Sequence, residues 1–262
     1  MKLNDTRVLV GVSGTGGGFQ KFCADETDIS AASRPIKDGE REDCAANGIE
    51  LLELRIGLDG LAVVTHLDTD FLDFLTLDEL GTLWAPEAED TVTRWNQVRD
   101  SFPDEKIELF GPDTDSGTFD FFTEVVNGES GASRGDYTPS TDDNVLVIGI
   151  TGSESALAYF GFAYYTENAA RLRIVPIDAG NGPVAPSNET VSDGSYPLSR
   201  PLFIYVNTES LTEKPQVREF VRFYLSDEGM SLVQEVGYTS IPLAELDGSR
   251  AALEAAIGVG GG

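Results

Sequence analysis

The sequence predicts an α/β protein, and three observations carry the prediction. Short β-branched and apolar runs alternate with stretches whose apolar residues recur at helical spacing. Two segments, Ser13–Phe19 and Asp115–Phe119, share one design: a strand, a turn of Ser, Thr and Gly, and a helix. The chain has 262 residues, 40% hydrophobic and 9% aromatic, enough for a packed core in one large domain or two small ones.

Taken in order, Arg7–Val12 is a β-branched run that predicts a strand. The small residues Ser13–Gly18 predict a turn, and Phe19, Phe22 and Cys23 follow at helical spacing. Asp28–Ala32 predicts a strand broken at Pro35. Ile49–Ile56 and Gly60–His66 predict two more, the second apolar enough to be central. Leu77–Trp84 and Thr93–Val98 predict short helices, and Lys106–Phe110 a strand that runs into the turn before Phe119. Phe119, Phe122 and Val126 then lie on one helical face. Asn144–Thr151 and Ser153–Leu157 are mixed, Tyr159–Ala163 is strand-like, and Leu172–Val175 predicts a strand. A Gly/Pro/Ser/Asn-rich loop is expected over Asp178–Ser199, then a strand at Leu202–Val206. Val217–Leu225, Glu228–Val236 and Leu243–Ile257 predict helices, and Gly258–Gly262 a flexible tail.

Eighteen basic against forty-five acidic residues give a formal charge of −27. That balance argues against a nucleic-acid binder or a ligand of anionic membranes, both of which need a basic face. Lys is scarce, five against thirteen Arg, and surplus acid with little Lys points to a halophilic source. At molar salt the Debye length falls to about 3 Å, so self-repulsion is screened; at low salt the fold should weaken. No run approaches the roughly 18 apolar residues of a membrane span. Met1 stands almost directly before a strand-like run, so either the protein is cytosolic or the chain begins inside a mature exported one. Cys23 and Cys44 are the two cysteines. They permit one disulfide or two buried thiols; the disulfide is favoured, and with it export to the periplasm or cell surface.

The two Ser/Thr/Gly turns are candidate anion sites. Each places backbone N–H groups at a helix N-terminus, where hydroxyls add donors and the helix end favours negative charge. The alternative for either turn alone is ordinary capping. Arg34, after Ser33, adds a guanidinium that can grip an oxyanion with two parallel bonds, or else sit in a surface ion pair. Enzyme motifs are missing: no G-x-S-x-G elbow, no Lys-Ser/Thr after the glycines, and one histidine, His66, in an apolar strand. No metal set emerges, and Asp68-Thr69-Asp70 and Asp113-Thr114-Asp115 lack the further residues of a calcium loop. Asn188-Glu189-Thr190 is a glycosylation sequon in the long loop.

The stretch from Val8 through Ser13-Gly14-Thr15-Gly16-Gly17-Gly18-Phe19 to Ser33-Arg34-Pro35-Ile36 resembles the phosphate-binding proteins of ABC phosphate importers. So do Leu109-Phe110-Gly111-Pro112, Asp115-Ser116-Gly117-Thr118-Phe119-Asp120, Asp142-Asp143-Asn144-Val145-Leu146 and Gly161-Phe162-Ala163-Tyr164-Tyr165. The resemblance runs from about Val8 to about Pro242. It implies a two-lobed type II periplasmic-binding-protein fold, each lobe a mixed sheet flanked by helices, with inorganic phosphate in the cleft and no cofactor. By position, Ser13, Thr15, Ser33 and Arg34 would bind phosphate from one lobe and Ser116, Gly117 and Thr118 from the other. The cysteines resemble a pair found in part of the family.

The expected lobes are 1–66 plus 201–262, and 67–200, with hinges near His66 and Arg200-Pro201. The implied function is to capture phosphate and deliver it to a membrane permease, with no bond made or broken. Two departures stand out. The family's first strand, turn and helix find no counterpart before Val8, which makes a dimer or a domain swap conceivable. Many members also place an Asp where Ser33 stands, to accept the proton of hydrogen phosphate; here the acceptor is unassigned, with Asp115 a candidate unless it caps its helix. The rivals are a binder of another oxyanion, sulfate or molybdate, a phosphate-handling hydrolase, and a fragment that folds but binds little.

Overall fold

The computed structural model describes residues 7–11, 13–235 and 238–259. Over Arg7–Gly11 the expected strand does not form, and Val12 lies outside the described residues. Leu9 and Val10 are 80% and 84% exposed. A β-branched run becomes a strand only when a neighbour takes its N–H and C=O groups, and among the described residues none does.

The described residues divide into two compact units, one up to Leu58 and from Arg200 onward, the other Asp59–Ser199. In the first unit the elements are α1 (Gly14–Cys23), β1 (Ile29–Ala32), α2 (Asp38–Ala46) and the start of β2 (Leu51–His66). The glycines expected to form a turn lie inside α1. A Cβ on Gly18 would stand 2.8 Å from Ser30 Oγ, so the absence of side chains lets the helix settle on β1. Phe19 and Phe22 then enter a core with Ile36, Ile49 and Phe203, and Phe19 meets Tyr205 edge-on at 4.8 Å.

Cys23 and Cys44 form a disulfide that joins α1 to α2. β2 is one continuous strand where two were expected. Gly60 does not turn the chain: a Cβ there would lie 2.7 Å from Val191 Cγ2, so this glycine serves close packing. The first passage between units falls within β2, at Leu58–Asp59, where the sequence placed it after 66.

The second unit contains β3 (Leu75–Thr76), α3 (Leu77–Trp84), β4 (Glu108–Pro112), α4 (Gly117–Asn127), β5 (Thr138–Ser140) and α5 (Asp143–Thr151). β6 (Ala156–Gly161), α6 (Phe162–Asn168), β7 (Leu172–Ile174), β8 (Ile177–Asp178), β9 (Pro183–Val184) and α7 (Asn188–Ser192) follow. The Thr93–Val98 helix is only a 3-10 turn, Trp95–Gln97. The expected loop at Asp178–Ser199 carries β9 and α7. β4 lies between β5 and β6 and runs parallel to both. β6 and β7 each pair antiparallel with the second half of β2, and β3, β8 and β9 form a small separate sheet.

The chain returns to the first unit through β10 (Ser199–Asn207), α8 (Thr208–Glu213), α9 (Pro215–Tyr224), α10 (Asp227–Glu235) and α11 (Leu243–Val259). β10 pairs antiparallel with β1, Ile29 opposite Val206. The expected tail is helical as far as Val259; residues 260–262 lie outside the described ones, as does the Val236 end of the predicted helix.

One ion pair, between a buried arginine and a partly solvated carboxylate, braces the second unit. Arg134 is 4% exposed; its Nε and Nη2 donate to Asp136, and its Nη1 to the carbonyls of Leu83 and Val92. The guanidinium, aided by the Asp90 N–H, holds the Asp136 carboxyl at about 2 against desolvation. A depressed carboxyl contributes stability that is full above its unfolded value near 4 and is lost as pH falls through about 2. Asp136→Asn should cost about 1 kcal/mol at neutral pH, because the carboxylate is partly solvated and two carbonyls still hold the guanidinium. Its melting temperature should sit several degrees below wild type at pH 7 and converge on it near pH 2. A constant gap across that range would show that the charge of Asp136 contributes nothing.

Candidate functional site

In the second unit, β4, β5 and β6 run parallel, and each ends in a turn that starts a helix: α4, α5 and α6 in turn. The carboxyl ends of adjacent parallel strands, followed by helix N-termini, are where α/β sheets hold ligands. A cavity of about 460 Å³ opens there, lined among others by Ser116, Thr118, Ser140, Thr141 and Asp143. The turn before α4 is ordered by its own side chains. The Ser116 N–H donates to Asp113 O at 3.1 Å, the Asp115 N–H to Asp113 Oδ1 at 3.1 Å, and the Thr118 N–H to Ser116 Oγ at 3.1 Å. The N-cap is therefore Ser116, and Asp115 does not cap the helix; its exposed carboxylate lines the cavity. Gly117 is the first helical residue. Below the turn, the Tyr137 hydroxyl donates to the Pro112 carbonyl at 2.9 Å.

Ser140, Thr141 and Asp143 were not among the residues expected to form the site. A capping signature marks them: Asp142 accepts the Asn144 N–H at 2.9 Å and so starts α5. Burial first, and then the charge of Asp142, raise the Asp143 carboxyl above its ordinary value.

In the first unit, Thr15, Ser33 and Arg34 come together at the start of α1. Thr15 Oγ1 accepts the Ser33 N–H at 3.2 Å, and the two hydroxyls lie 3.2 Å apart. Ser13 precedes the helix, exposed and without a side-chain capping bond. Arg34 is paired: its Nη1 and Nη2 donate to the two Glu40 carboxylate oxygens at 2.8 and 2.7 Å, and its guanidinium lies 5.6 Å from the Phe19 ring centre. A second cavity of this unit, about 410 Å³ between α9, α10 and α11, also contains arginines, but Arg222 is paired with Glu254 and Arg250 with Asp227. Among the described residues, no group of three or more His, Cys, Asp or Glu side chains could hold a metal ion. Among the described residues, no helix is long and apolar enough to cross a membrane.

Over residues 1–228 the sequence matches the PBP superfamily domain. It is 50% identical over 231 residues to Protein SphX of Synechocystis, covering 88% of this chain and 68% of that one. It is 38% identical over 239 residues to the phosphate-binding protein PstS of Staphylococcus epidermidis, covering 91% and 71%. The chain belongs to the PstS-like family. A crystal structure described as a possible phosphate binding protein from Planctomyces limnophilus superposes on it with a TM-score of 0.89 at 46% identity, covering 93% of this chain and 86% of that one. PstS of Borrelia burgdorferi, at 21% identity and a TM-score of 0.69, shares the fold. The fold class is thus the α/β type II binding-protein class of PstS-like chains, and the relatives with printed roles are binding proteins.

Proposed function

We propose that this PstS-like protein binds inorganic phosphate and passes it to the permease of an ABC importer, with no bond made or broken. The observation that carries the reading is the Ser116-capped start of α4, which opens with Ser140 and Thr141 into a cavity at the ends of three parallel strands. Hydroxyls and helix-end N–H groups recognise a tetrahedral oxyanion at little reorganisation cost. In the first unit, Ser13, Thr15, Ser33 and Arg34 are the donors that the family resemblance assigns to phosphate, and Arg34 carries a positive charge. Local donors can hold an anion on a chain of charge −27 because distant charges are screened beyond about 10 Å at 0.1 M salt. The relatives' names support phosphate over sulfate or molybdate. The disulfide accords with an exported protein at work in an oxidising compartment.

Calorimetric titration tests the reading. Phosphate should bind saturably at one site per chain and sulfate much more weakly, with no turnover of a chromogenic phosphate ester. Sulfate binding as tight as phosphate would assign another oxyanion, and ester turnover would assign a hydrolase.

A further inference from the structure

Glu40 stands in neither anion-binding turn, yet it is the residue through which Arg34 is held. It lies in the first turn of α2, and its carboxylate takes three bonds: Arg34 Nη2 to Oε1 at 2.7 Å, Arg34 Nη1 to Oε2 at 2.8 Å, and the Lys37 N–H to Oε2 at 2.9 Å. The Arg34 bonds, first among the causes, keep this carboxyl below its ordinary value, so it stays charged. The pair is not a loose surface contact, since the Arg34 and Glu40 side chains are 26% and 20% exposed. Arg34 also donates from Nη1 to the Pro35 carbonyl and lies over the Phe19 ring of α1. A Cβ on Gly16 would be 4.0 Å from Arg34 Nη2, which sets the guanidinium beside the first turn of α1.

The helix that carries Glu40 is itself tied to α1. Cys44 of α2 is bonded to Cys23, the last residue of α1, and both are buried. Cys23 Sγ lies 3.4 Å from the Glu40 carbonyl oxygen, a packing contact because a bridged sulfur carries no proton. Asn47 Nδ2, just beyond α2, donates to the Cys23 carbonyl at 2.9 Å. The ring is closed: α1, the disulfide, α2, Glu40, Arg34, and back to α1 at Phe19. Ser33 and Arg34 lie within the covalent loop from Cys23 to Cys44.

We propose that Glu40 is a positioning residue that holds Arg34 in its ligand-binding orientation, and that the Cys23–Cys44 bridge holds Glu40. The proposal rests on the reading of Arg34 as a phosphate ligand. It makes an unusual demand, because Glu40 is an anion beside a site for an anion. Electrostatics alone says that removing its charge tightens phosphate binding; positioning says that removal weakens it, because a long side chain freed of its clamp must be reordered when ligand binds.

The test is phosphate titration of the folded protein and of Glu40→Gln, Arg34→Ala and the pair of changes together, with a melting curve for each. Wild type that binds no phosphate, or Arg34→Ala with wild-type affinity, overturns the ligand reading itself. With those in hand, Glu40→Gln should bind phosphate about tenfold more weakly and have no further effect in the Arg34→Ala background. Unchanged or tighter binding by Glu40→Gln, or equal losses in the two backgrounds, overturns the positioning role. A second variant, Cys23→Ser with Cys44→Ser, reads the frame independently of the Glu40 change. It should lose several-fold in phosphate affinity at a temperature well below its melting point; wild-type affinity there overturns the role of the bridge.

Discussion

Trp84→Ala should destabilise the second unit by about 3–5 kcal/mol, the cost of emptying a buried aromatic position. Trp84 is 1% exposed and meets three other rings edge-on: Tyr159 at 4.9 Å, Tyr137 at 5.4 Å and Phe122 at 5.5 Å. Phe122 and Tyr159 in turn stack at 3.7 Å. The cluster joins α3, α4 and β6, and through the Tyr137 hydroxyl it bears on Pro112, directly before the Ser116 turn. Loss of the ring should therefore loosen the Ser116 turn, the proposed phosphate site, as well as the core. The indole Nε1 is buried without a hydrogen-bond partner among the described residues. Trp84→Phe should consequently cost less than its lost area suggests, since it also removes an unpaired donor. Urea unfolding followed by circular dichroism and by Trp95, then the only tryptophan, measures both variants. A loss below about 1 kcal/mol for Trp84→Ala would mean that the neighbouring rings collapse into the space.

Arg34→Ala should weaken phosphate binding by roughly ten- to more than a hundred-fold, the range for loss of a charge-assisted contact of about 1.5–3 kcal/mol. Its effect on stability should be far smaller, because the pair with Glu40 is partly solvated and such pairs contribute about 0–1 kcal/mol. Arg34→Lys keeps the charge but loses the planar fork that spans both Glu40 oxygens, so it should fall between the two. Calorimetry and a melting curve separate the outcomes. Weakened binding with an unchanged melting temperature is expected; unchanged binding would show that Arg34 serves Glu40 alone.

The residues named from the sequence as anion donors fall into two groups in the structure. Ser116, Gly117 and Thr118 stand at the start of α4, as the turn pattern required, because capping is a local matter of a hydroxyl and the N–H two residues on. Thr15 and Ser33 are joined by a hydrogen bond across eighteen positions of sequence. Their common site could be inferred only from the family resemblance, since neither residue specifies the other locally. Arg34 carried two readings, ligand and ion pair. The structure supplies the ion pair and its partner, Glu40, which no motif marked.

By itself the sequence determined what depends on neighbours a few residues away. The amphipathic faces of α3, α4 and α9, the strands β1 and β7, the cysteine pair and the acidic surface all follow from local periodicity and composition. Tertiary structure decided what depends on a partner. Arg7–Gly11 has the composition of a strand and forms none, because no strand among the described residues takes up its backbone groups. The glycines of α1 resemble a loop in sequence but wind into a helix, and the missing side chain of Gly18 lets that helix lie on β1. β2 passes unbroken through residues 57–59, where the pattern suggested a break between two strands, and Gly60 lies within it where Val191 occupies the space a side chain would need. Ser140, Thr141 and Asp143 join the Ser116 turn because parallel pairing of β4 and β5 brings their ends together, a long-range register that no local propensity encodes.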